Sequence, residues 1–179
     1  MMLKSDILNH IILGDPQAHT TPWNDVSKTI GKTSLRDVTL KELSDSQNTL
    51  DPAIFTRAKY VISANERAIA AEKALENKDS PYFGKLMVET YRSLRNNYEV
   101  SCEDVDQLME AILQYGENQP DSVLGTTLNC TIGCIVIMIN KSAVSGFIEH
   151  IWTKFKDKTP KFYILRPSYG ARVLRTPFI

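Results

Sequence analysis

Six consecutive apolar residues, Cys134 to Ile139 (CIVIMI), restrict the fold of this chain more than any other stretch. The run is rich in β-branched residues and bounded by Gly133 and Asn140. Such a run suits a strand buried on both faces better than an alternating edge strand. The segment ahead of it, from Gly125, reads as a small-residue loop feeding the strand. Small side chains let main-chain N–H groups approach an anion. The same stretch also reads as a hairpin turn that holds no ligand, since an isolated Gly-rich loop is a weak signal.

With 179 residues, 42% of them hydrophobic, the chain can bury a proper core as one ordinary domain or two very small ones. Lys plus Arg and Asp plus Glu number 21 each, so the formal net charge is zero. That balance gives no electrostatic footprint for nucleic acid or an anionic membrane. Cys102, Cys130 and Cys134 are an odd number and too sparse for a disulfide framework, which points to reduced thiols and a cytoplasmic location. Cys130 and Cys134 lack a second ligand pair, so they read as small buried thiols, and no metal site is assigned. Charges interrupt the apolar N-terminus MMLKSDILNHIILGD, unlike a signal peptide. No apolar stretch approaches the roughly 20 residues of a membrane span.

Residues 1–33 carry little regular pattern, with Gly14, Asp15, Pro16 and Pro22 breaking it, and KTIGK (28–32) lacks the spaced glycines of a P-loop. Beyond Ser34 the periodicity sharpens. Asp51 and Pro52 start the strongest helix, with Ile54, Ala58, Val61, Ile62, Asn65, Ile69 and Leu75 on one face. After a turn at 77–81, Phe83, Leu86, Met87, Thr90, Tyr91 and Leu94 form the stripe of a second helix, packed antiparallel to the first. Ser101–Asp104 resembles a capping box opening a third helix, with Val105, Leu108, Met109, Ile112 and Leu113 inward. Ser142 opens a fourth, and Lys161–Leu165 forms the last strand; His150 sits beside the fourth helix's stripe as a surface histidine. Helices followed by strand, helix and strand give an α+β arrangement, with helices on one face of a small sheet.

Three segments carry a resemblance. SLRDVTLKEL (34–43), LDPAIFTRAKYVISANERA (50–68) and FGKLMVETYRSLRNNYEVSCEDVDQL (83–108) resemble, in order and spacing, the C-terminal half of a galactokinase of the GHMP small-molecule kinase family. The ending FYILRPSYGARVL (162–174) is similar to the family's closing segment. The resemblance implies that residues 34–179 form a GHMP-kinase C-terminal domain, a ferredoxin-like sheet packed with a helical hairpin, preceded by a divergent segment 1–33. It also implies ATP and Mg²⁺ as cofactors and galactose, phosphorylated at C1, as substrate. The family's phosphate loop, sugar-binding residues and catalytic aspartate belong to an N-terminal half that this sequence does not match, so no catalytic residue is assigned. A separate N-terminal half or self-association is the implied partnership. The family's third, glycine-rich motif corresponds to GTTLNCTIGC, in which Gly125, Thr127 and Gly133 keep the positions expected to contact cofactor through the loop backbone. Thr131 and Ile132 replace glycines there, and branched residues resist positive φ.

Overall fold

In the computed structural model of the chain, the described residues are 1–4, 23–129 and 134–166. Along them run β1 (Met2–Lys4), α1 (Trp23–Thr29), α2 (Leu40–Asp45), α3 (Pro52–Glu76), α4 (Ser80–Asn96), α5 (Glu103–Asn118), β2 (Val123–Asn129), β3 (Cys134–Ile139), α6 (Val144–Phe155) and β4 (Lys161–Tyr163). The strands form one sheet in the order β2-β3-β1-β4, with every neighbouring pair antiparallel. Helices and sheet together make an α+β arrangement.

Strand pairing decides which residues share a face. Thr126 lies opposite Ile137 and Leu128 opposite Ile135, and these four side chains are all buried. Leu128, Ile135 and Ile137 join Met109 and Ile112 of α5 and Phe147 and Ile151 of α6 in the main core. On the other face Gly125 pairs with Met138 and Thr127 with Val136; Val136 and Met138 are only half-buried. The expectation that β3 is buried on both faces is therefore corrected: α5 and α6 seal one side, while the α3–α4 hairpin covers mainly the β2 end of the other. Residues 125–129 are strand rather than loop, because they pair in register with Cys134 to Met138.

The hairpin forms as its caps dictate. Asp51 Oδ1 accepts from the N–H groups of Ala53 and Ile54 at 2.9 and 3.2 Å, and Pro52 occupies the first turn of α3. Asp79 caps α4 through the Tyr82 N–H at 3.0 Å. Of the face expected on α3, Ala58 and Ile62 are buried, whereas Ile69 and Leu75 are 57% and 59% exposed. In that half of α3 the buried residue is the small Ala74, as suits a close antiparallel approach.

The capping box expected at Ser101 does not form. Cys102 takes the N-cap position of α5, and the Ser101 hydroxyl instead donates to Asp106 Oδ1 at 2.7 Å. The start of α6 likewise shifts, to Val144, behind a 3₁₀ turn over Lys141–Ala143. The last strand stops at Tyr163, leaving Ile164 and Leu165 exposed.

A second, smaller core joins Val26, Leu35, Val38, Leu43, Ala58 and Ile62. Val26 precedes Thr33, as does β1, which pairs with β3 and β4, so described parts of residues 1–33 pack into the body of the molecule. Ile62 is 2% exposed within this core. Ile62→Asp would bury a carboxylate among apolar neighbours and is expected to cost about 3–5 kcal/mol. Thermal unfolding at the wild-type temperature would show that this face of α3 is not the packed one.

Acid should act on the start of α2. Thr39 and Glu42 form a reciprocal capping box, and Lys32 Nζ lies 2.9 Å from Glu42 Oε1. The Thr39 backbone N–H, then Lys32 and the Thr39 hydroxyl, hold the Glu42 carboxyl down to about 2 from 4.5. A depressed carboxyl contributes stability that is present above its ordinary value and lost as pH falls through the folded one. Stability should therefore decline between pH 4.5 and about 2. Glu42→Gln should flatten that part of the unfolding-versus-pH curve; an unchanged slope would remove Glu42 from the account.

Candidate functional site

Gly125 and Thr127 lie two residues apart on β2, on the same side of the strand. Gly125 meets α4. A Cβ on Gly125 would stand 2.4 Å from the Cα of Gly84, and one on Gly84 would stand 1.7 Å from the Leu124 carbonyl oxygen. The helix thus rests directly on the strand backbone, which only two facing glycines permit. Gly133 lies outside the described residues, as do Cys130, Thr131 and Ile132.

Thr127 lines a cavity of about 860 Å³ between the hairpin and the open face of the sheet. Tyr60 contributes from α3, Phe83 and Met87 from α4, and Val136 and Met138 from β3. The Thr127 Oγ1 is buried without a hydrogen-bond partner among the described residues. Thr90 also lines the cavity; Arg67 Nε donates to its Oγ1 at 3.1 Å, and the Thr90 hydroxyl donates to the Leu86 carbonyl at 2.9 Å. Burial lowers the pKa of the Arg67 guanidinium. Neither Tyr60 nor Arg67 stands out in the sequence; Thr90 carries a faint signal, as a hydroxyl within an apolar helical stripe.

A hydrogen-bonded charged cluster lies elsewhere, at the α4–α5 elbow. Asp106 accepts from the Tyr91 hydroxyl at 2.6 Å, the Ser101 hydroxyl at 2.7 Å and Arg95 Nε at 2.8 Å. Burial, then Asp106, pushes the Tyr91 phenol up, so it stays a protonated donor. With three donors on it, this carboxylate is a structural clasp rather than an available base. His150 is exposed, its ring 5.1 Å from that of Tyr115. Among the described residues no group of three or more His, Cys, Asp or Glu is placed to hold a metal ion, and no helix is long and apolar enough to cross a membrane.

No protein-family model matches the chain. It is, however, 37% identical over 178 residues to the galactokinase of Homo sapiens, covering 97% of this chain and 43% of that protein. The chain is homologous to part of a galactokinase. The galactokinases of Bos taurus and Canis lupus familiaris are each 36% identical over 154 residues, 84% of this chain and 37% of the relative. The homology to galactokinase therefore spans about two fifths of the length of these relatives. In fold, the chain is similar to Lactococcus lactis galactokinase, solved in complex with galactose. The TM-score is 0.71 at 21% identity, covering 90% of this chain and 43% of that one.

Proposed function

We propose that this chain is the C-terminal half of a galactokinase-like sugar kinase and works only together with an N-terminal half. The observation that carries the reading is the match of 84–97% of the chain to 37–43% of galactokinases. The strand order supports the GHMP C-terminal domain. Each helical crossover, from β1 to β2 and from β3 to β4, skips one strand of an antiparallel sheet, the ferredoxin-like arrangement. The α3–α4 hairpin then supplies the family's additional helices.

In this reading the substrates are galactose and ATP with Mg²⁺, and the γ-phosphoryl passes to the C1 hydroxyl. Phosphoryl transfer depends mainly on positioning and charge stabilisation. The contribution of this half is to wall the cleft. Gly125 has its open side filled by Gly84, so the nearby main chain offers no cradle for a phosphate. Thr127 and the backbone at Gly133 are the remaining positions from which this half would face the cofactor. A cytoplasmic location follows from the same reading.

A second reading, a non-catalytic module derived from a galactokinase, draws on Thr131 and Ile132, which stand where the family's loop has glycines. Galactose-dependent ADP release, measured with the chain co-expressed with a galactokinase N-terminal half, separates the two. Activity of the pair, absent from either part alone, supports the kinase reading. Stable association without turnover supports the module.

A further inference from the structure

We propose that the groove between α5 and α6, into which the Tyr115 hydroxyl opens, binds a small neutral polyhydroxylated molecule, a cyclic polyol or an uncharged sugar. The groove lies on the α5–α6 side of the sheet, opposite the cavity at Thr127, and the proposal stands whether or not the chain is part of a kinase. Tyr115 carries the argument. It is only 5% exposed, and its ring is fixed by Phe147, edge-on at 5.3 Å, and by His150 at 5.1 Å. A buried phenol normally finds a hydrogen-bond partner, as Tyr91 does on Asp106 at 2.6 Å. The Tyr115 hydroxyl has none among the described residues. Packing alone would be served by phenylalanine at this position, so the hydroxyl is a polar atom that the fold leaves unused.

The groove holds about 670 Å³, and Tyr115 shares its lining with Gly146 of α6. A Cβ on Gly146 would stand 3.1 Å from the Tyr115 oxygen and meet nothing else within 4 Å, so the missing side chain leaves that oxygen accessible. Glycine is a poor helix former, and no positive φ at Gly146 requires it. The rest of the lining decides the ligand. Ser142 and Thr153 supply hydroxyls, Gln119 an amide, and Glu149 and Lys154 one charge of each sign. Groups that both donate and accept match a ring of hydroxyls, each of which does the same. An anion would gain little here. Lys154 Nζ already leans on Gln114 Oε1 at 3.4 Å, and Glu149 would repel it. The exposed His150 ring beside the phenol offers a flat edge to the C–H side of such a ligand.

The test is a titration of the isotope-labelled 179-residue chain with myo-inositol, followed by amide NMR. This cyclic hexol has no anomeric hydroxyl, so its binding is independent of the proposed phosphoryl transfer, and either reading can fail alone. Saturable shifts of the Gly146, Glu149 and Thr153 amides are expected, with a Kd of about 1–10 mM, the range open to a ligand of about a dozen atoms. Tyr115→Phe keeps the ring and should weaken binding about tenfold, as loss of one hydrogen bond does. Gly146→Ala covers the hydroxyl and should weaken it about as much; thermal unfolding of both variants checks that the helices stay packed. Trp152→Ser, on the other, exposed side of α6, should change nothing. No saturable shift at these amides, or binding that Tyr115→Phe and Gly146→Ala leave intact, overturns the site. Inorganic phosphate that displaces inositol from the groove overturns the assigned ligand class.

Discussion

The isolated 179-residue chain is expected to show no galactose-dependent ADP release above background. Holding two reactants in a near-attack arrangement supplies on the order of 7–11 kcal/mol of barrier reduction, and a misplacement of about 1 Å erodes it. If the chain is one half of a kinase, as proposed, it forms only one wall of a cleft and cannot hold both the γ-phosphoryl and the acceptor hydroxyl. Among the described residues the carboxylates with fixed hydrogen bonds are already engaged: Asp106 accepts from Tyr91, Ser101 and Arg95, and Glu42, Asp51 and Asp79 cap helices. Titration calorimetry with MgATP should give no saturable heat for the chain alone. Turnover that needs galactose, disappears on heating and survives repurification would contradict this, and Asp15 and Asp25 would be the first carboxylates to replace.

Gly84→Ala is expected to be the most damaging glycine-to-alanine substitution among the described residues. The new methyl group would meet the Leu124 carbonyl oxygen at 1.7 Å and its carbon at 2.5 Å, and both are backbone atoms that no side-chain rotation can clear. Alanine favours a helix over glycine by up to about 1 kcal/mol. Here the clash outweighs that gain, because α4 must lift off β2. A loss of about 3 kcal/mol or more follows, seen as a fall of roughly 10 °C in Tm. Gly125→Ala strikes the same contact from the other side, 2.4 Å from the Gly84 Cα. The two losses should therefore not add when combined. By contrast, the methyl group of Gly146→Ala meets only the Tyr115 hydroxyl, at 3.1 Å, and should cost far less. If Gly84→Ala unfolds with the wild type, the helix does not rest on the strand, and Gly125 regains a claim to a ligand role.

Much of the helical layout is legible in the residues. Asp51 with Pro52, and Asp79 ahead of Tyr82, are local signals whose chemistry is complete within four residues, and both caps form. The extent of β3 is legible for the same reason, as an unbroken apolar run. What the sequence conceals is decided at a distance. Ser101 and Asp104 have the spacing of a cap, but a carboxylate two residues further on already collects Tyr91 and Arg95 from α4 and takes the Ser101 hydroxyl as well. Gly125 looks like loop glycine until Gly84, some forty residues earlier, is brought against it. The cavity around Thr127 depends on α3, α4 and β3 together, so Thr90 reads only as a member of a helical stripe and Tyr60 lies outside the face expected on α3. Strand β1 is the least legible, since three residues carry no periodicity and their role is fixed wholly by their neighbours.

That strand also sets the order in which the molecule can be assembled. β1 sits between β3 and β4, and Met1 exchanges backbone hydrogen bonds with Ile137, 136 residues along the chain. The hairpins α3–α4 and β2–β3 close short loops and can form early, whereas the centre of the sheet requires the two ends of the described chain to meet. Contacts of such separation carry the entropy of closing a long loop before they return any stability. β1 has no sheet partner until β3 and β4, far along the chain, are in place. Until β1 docks between them the inner edges of β3 and β4 stand unpaired, the interval in which the folding chain is most open to aggregation.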